Sequence, residues 1–140
     1  MTVTYTAGAT GWGNGMLQIE IPAGWSAPSL IGADPGYFSV SVSGGVYAGK
    51  SKSGQFIRVY VNNLTAVTGT IAVTYGDMSS GGPGATAQPG GGAVQFKVYS
   101  DPFGTNVAEI AAHPEVTMTV PKGRGAAEQR SVPVSDSERV

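Results

Sequence analysis

A period of two constrains this chain more than any other feature. Seven short segments alternate apolar and polar residues, at residues 3–6, 16–21, 37–42, 56–64, 70–75, 94–99 and 116–120. In the second, Leu17, Ile19 and Ile21 share one side while Gln18 and Glu20 take the other. Ile57, Val59 and Val61 group in the same way, as do Ile71, Val73 and Tyr75. Val94, Phe96 and Val98 form another such set, and Val116, Met118 and Val120 the last. Successive strand side chains point to opposite faces, so each segment predicts a strand with one face in a core and one in solvent. No window of helical length carries a 3.6-residue period. Residues 106–113, "NVAEIAAH", come nearest, as one helical turn stopped by Pro114.

The connections between these segments are rich in glycine and proline. The 22 glycines follow no collagen-like period, so they belong to turns. About seven short antiparallel strands joined this way predict an all-β, immunoglobulin-like two-sheet sandwich. At 140 residues the chain makes one domain with a real core. Composition shifts after Pro121: residues 1–121 carry ten charged side chains, whereas residues 122–140 carry seven in nineteen positions. The sandwich is therefore expected over 1–121, followed by a tail, a linker or a donated strand over 122–140. Residues 79–92, "SSGGPGATAQPGGG", have almost nothing to bury and are expected to form a mobile surface loop.

One short stretch argues for a different fold. "GGVYAGKS", residues 44–51, places Gly44, Gly49, Lys50 and Ser51 in the pattern of a phosphate-cradling P-loop. That chemistry needs a helix to follow, whose free N–H groups face the phosphates. Here Gly54 interrupts any first turn and residues 56–61 alternate again, so two strands joined by a Gly/Ser/Lys loop are expected, and no nucleotide. A net charge of −1 offers no footprint for nucleic acid. The absence of cysteine excludes disulfides and thiolate metal sites, and the single His113 excludes a multi-histidine site within one chain. No apolar run approaches the ~18 residues of a membrane span, so no membrane insertion is expected. Met1 opens directly into "TVTYTA" without a signal-peptide pattern, as in a module excised from something longer.

Little else carries chemistry. His113 precedes a proline, and no G-x-S-x-G elbow exists to serve it. Asp34, Asp77 and Asp101 sit in turn contexts, where aspartates usually bond the turn backbone. Were their three loops to meet at one end, they would offer a Ca²⁺ site, although D-x-D-x-D-G spacing is missing. No metal, other cofactor or catalytic set is expected. Trp12 lies in the glycine turn "GWGNG" and Trp25 directly follows a strand. With Tyr47 they suggest sugar-stacking platforms; the plainer reading has Trp25 plug the end of the sandwich and Trp12 fold over its turn. Asn63-Leu64-Thr65 is a formal glycosylation sequon. Lys97 alternates outward, which argues against a Lys–Asn crosslink.

The order of these pieces resembles the immunoglobulin-like modules strung along large bacterial extracellular and surface proteins. The shared phrases are "IP-x-GW-x-x-P" at Ile21, Pro22, Gly24, Trp25 and Pro28, "PGY" at residues 35–37, and "I-x-V-x-YG" at residues 71–76. The resemblance implies a non-catalytic spacer, adhesion or assembly module, outside the cell or at its surface. Its implied partners are other modules of the same or neighbouring chains, or a surface glycan. Such modules begin with a strand ahead of "TVTYTA". The alternating tail "RSVPVSDSERV", with Ser131, Val132, Val134 and Val140, is a candidate for that missing strand, given to its own domain or to the next copy. Otherwise it is a linker.

Overall fold

The computed structural model describes residues 1–89, 92–110, 115–118 and 131–135. Every element among them is a strand: β1 (Thr2–Thr6), β2 (Asn14–Glu20), β3 (Phe38–Ser43), β4 (Val46–Ser53), β5 (Phe56–Asn62) and β6 (Thr70–Tyr75). They continue with β7 (Gly92–Gln95), β8 (Lys97–Asp101), β9 (Ala108–Glu109), β10 (Glu115–Met118) and β11 (Ser131–Ser135). The two main sheets have the orders β11-β1-β6-β3 and β4-β5-β2-β8-β9, and β10 pairs with β7 in a separate two-stranded sheet. Among the described strands all pairings are antiparallel except β1 with β11, which run parallel. The chain is thus the all-β two-sheet sandwich that its alternation requires.

The alternating sets form the core. Val3, Tyr5, Phe38, Ile71, Val73 and Tyr75 of one sheet are buried with Leu17, Ile19, Ile57, Val59, Val61 and Val98 of the other. Register enforces this agreement: Leu17 pairs with Val59, and Ile19 pairs with both Ile57 and Val98. A slip by one residue would turn a whole set to solvent, at about 1.5–3 kcal/mol per large apolar side chain.

Three expectations need correction. Residues 46–53, read as a loop, form β4, which pairs with β5 through a bulge between Tyr47 and Gly49. It escapes notice because an edge strand with most of its length in water needs no apolar alternation. Residues 108–109 form β9 on β8, and Ile110 donates its N–H to Val98 O, so the described part of the expected helical turn is extended. Residues 79–89 pack down in place of a mobile loop. Ala85 and Ala87 are buried, Ser26 exchanges hydrogen bonds with Thr86, and Gly36 N–H donates to Gly84 O. Gly36 has φ +78°, and a Cβ there would sit 2.1 Å from Ala27 O, so only glycine admits this approach.

The strand directions define two ends. Residues 8–13, 43–47, 63–69 and 102–107 share the first, and residues 22–37, 54–55 and 76–89 share the second. β1 runs from the second end to the first. Because β11 is parallel to it, Ser131 lies beside Thr2 and Ser135 beside Thr6.

Candidate functional site

Trp12 and Trp25, the candidate sugar-stacking faces, are buried. They are 5% and 4% exposed, with their faces inside the core. Under the first end, the Trp12 indole N–H donates to the Tyr5 hydroxyl at 3.1 Å, the rings 5.3 Å apart. Under the second, Trp25 meets Phe96 edge to face at 4.9 Å and Tyr75 at 6.4 Å. Its Nε1 is buried with no hydrogen-bond partner among the described residues. Burial pushes the Tyr75 phenol well above its ordinary pKa, and its hydroxyl donates to Ser26 O. Large apolar faces next to glycine turns are taken inward to close the sandwich. Tyr47 alone of the three is exposed, at the start of β4.

The aspartates hold turns. Asp34 accepts from the Ser29 hydroxyl at 3.0 Å, and Asp101 accepts from the N–H groups of Thr105 and Asn106. Asp77 accepts from the Ser39 hydroxyl and the Ser79 N–H, which hold its carboxyl below the usual range. Asp34 and Asp77 lie at the second end and Asp101 at the first, so the three loops do not meet. Among the described residues no group of three metal-ligating side chains exists. His113 and Val140 lie outside the described residues.

The P-loop phrase resolves into sheet chemistry. Lys50 stands within β4, and its ammonium donates to Phe38 O on β3 at 2.8 Å, 4.8 Å from the Tyr37 ring centroid and 5.1 Å from that of Phe38. An inward lysine on an edge strand ties the two sheets and discourages further strand addition there.

At the other edge, Ser131, Val132, Pro133, Val134 and Ser135 pair with residues 2–6 of the chain's own β1. Proline, which has no N–H to give, is tolerated in an outermost strand such as β11.

The feature missed from the sequence is the first end as a whole. Its loops interlock through backbone hydrogen bonds: Gly13 N–H to Pro102 O, Asn63 N–H to Gly13 O, Trp12 N–H to Leu64 O and Thr65 N–H to Gly44 O. Thr68 N–H bonds Ala66 O across Val67, which has φ +67°, a γ-turn that a β-branched residue adopts only under strain. Val67 is nonetheless 63% exposed. Residues 8–13, 43–47, 63–69 and 102–107 contain no Asp, Glu, Lys, Arg or His. Each loop is unremarkable alone; only the fold brings them together.

No family model, curated protein or solved structure matches this chain. Among the described residues no helix is long and apolar enough to cross a membrane, which says nothing of a β-barrel.

Proposed function

We propose that the chain is a non-catalytic structural or adhesive module of a surface or secreted protein, built to sit in line with neighbours. The observation that carries this reading is the parallel pairing of β1 with β11. A chain that enters β1 at the second end leaves β11 at the first, so tension along the chain crosses the long axis of the sandwich. Because the two strands are neighbours, that tension shears their hydrogen bonds together and cannot unzip them singly. The surface or extracellular setting rests on the resemblance in sequence alone.

The tail strand serves its own domain in this reading. Its donation to a second copy is the rival mode of assembly, since the same backbone groups would be satisfied in trans. A carbohydrate-binding module on Trp12, Trp25 and Tyr47 loses both indoles to the core and keeps one tyrosine. Pulling the folded chain along two directions tests the reading, because a sheared pair resists force and an unzipped pair does not.

A further inference from the structure

Register fixes the outer face of the five-stranded sheet. Ile57, Val59 and Val61 turn inward, so Phe56, Arg58 and Tyr60 stand in line on the outside of β5. Their partners on β4 are all small: Ser53 opposite Phe56, Ser51 opposite Arg58 and Gly49 opposite Tyr60. A Cβ built at Gly49 meets nothing within 4 Å. The β4 side is therefore a low shelf, and the three large side chains of β5 form a wall along it.

Arg58 is the half-buried centre of that wall. Among the described residues its one hydrogen bond runs from Nε–H to Gln18 Oε1 at 3.0 Å, which fixes the plane of the guanidinium. No carboxylate among them answers its charge. Glu20, the nearest acid in the register, accepts from the Tyr99 hydroxyl at 3.5 Å and stands opposite Lys97. The two terminal nitrogens of Arg58 remain as a planar fork of N–H donors facing outward. Phe56 and Tyr60 flank the fork, each about 7 Å away along the strand. Tyr60 is 38% exposed, and its hydroxyl lies 3.3 Å from Ser51 Oγ, which sets the ring against the shelf.

The geometry points to a carboxylated polysaccharide as the occupant of this shelf, with a carboxylate on the Arg58 fork and a neighbouring sugar ring on Tyr60. This rests on the adhesive reading above and names what is held. Charge complementarity calls for an anion, because a guanidinium fork without a counter-ion is matched bidentately by a carboxylate. The aromatic rings call for a partner with apolar faces, and a pyranose has C–H groups on its faces and hydroxyls around its rim. The Ser51 hydroxyl and the Gln18 amide stand on either side of Arg58, placed to bond those hydroxyls. β5 lies between β4 and β2, so its backbone groups are used in the ladders and an extended peptide finds no edge to join.

The test is calorimetry of the full chain with oligomers of polygalacturonate, alginate and hyaluronan. Their carboxyl-reduced neutral forms and polyglutamate of equal charge serve as comparisons. At least one acidic oligomer is expected to bind with a Kd below about 1 mM, and neither comparison is. Arg58→Gln is expected to weaken binding about tenfold or more, and Arg58→Lys, which keeps the charge and loses the fork, nearly as far. Tyr60→Ala weakens it several-fold, and Tyr60→Leu replaces that variant should its thermal melt show it unfolded. Lys52→Gln removes a like charge from the opposite side of β4 and leaves binding unchanged. Failure of all three acidic oligomers to bind overturns the inference. So does equal binding of a neutral form, which means stacking alone, or of polyglutamate, which means charge alone. An equal loss in Lys52→Gln overturns it too, since the attraction is then diffuse. None of these outcomes alters the direction dependence of mechanical resistance, so the in-line reading stands or falls separately.

Discussion

Lys50 on β4 reaches across the open edge of the sandwich and donates to the carbonyl of Phe38 on β3, 2.8 Å away. The lysine of a phosphate-binding pattern is thereby spent on holding two sheets together. Lys50→Met keeps the aliphatic stem and removes the bond and the ring contacts. It is expected to cost about 1–2 kcal/mol in chemical denaturation and to leave nucleotide affinity at zero before and after. An ATP titration by calorimetry that detects Lys50-dependent binding contradicts this assignment.

The two tryptophans separate in a paired substitution. Trp12→Phe loses a hydrogen bond to Tyr5 as well as packing, whereas Trp25→Phe removes a buried N–H with no partner among the described residues. Trp12→Phe is therefore expected to be the more destabilising by about 1 kcal/mol. Alanine at either site costs about 3–5 kcal/mol. Denaturant melts check the ranking; glycan retention lost from a folded Trp12→Ala chain would restore the sugar platform.

Acid should reveal Asp77. Hydrogen bonds from Ser39 and Ser79 lower its pKa below the ordinary 3.8. A depressed carboxylate stabilises the folded state above its unfolded pKa, and that contribution disappears as pH falls through the lower folded value. Asp77→Asn is expected to melt below the wild type at pH 5–7 by no more than about 1 kcal/mol, reduced by solvent screening. The gap should close as pH drops below about 4. A gap that widens in acid contradicts the assignment.

The second end depends on close backbone approach at Gly36. Gly36→Ala drives a methyl against Ala27 O at a positive φ and is expected to cost more than about 3 kcal/mol. Gly49→Ala, at φ +140° with nothing within 4 Å, meets no clash and bears only the backbone penalty of that φ, about 1–3 kcal/mol. Equal melting temperatures for the two variants would mean that loops 22–28 and 29–37 are not locked.

How much the sequence discloses follows from how local each cause is. Ile57, Val59 and Val61 alternate, and alternation alone sends them inward as observed. β4 gives no such signal, because Val46, Tyr47 and Lys52 are all exposed on an edge. Trp12 and Trp25 are ambiguous by residue type, since an indole beside glycines serves a core or a ligand equally well. Residues 79–89 read as featureless, yet Ala85 and Ala87 are small enough to pack where larger side chains cannot. That the four uncharged loops 8–13, 43–47, 63–69 and 102–107 share one end is legible only after the strand order brings them together.

Single-molecule pulling in two directions reads the load carried by the β1/β11 pair directly. The chain has no cysteine, so thiol handles can be placed at will. Handles at residues 1 and 140 load β1 and β11 in shear. Handles at residues 1 and 118 load the same folded chain without drawing on β11. The parallel β1/β11 pairing predicts a clearly higher rupture force for the first geometry, and loss of that excess when residues 131–135 are deleted from the chain carrying handles at 1 and 140. Equal forces along both directions would mean that the β1/β11 pair carries no load, and the in-line structural module would have to be abandoned.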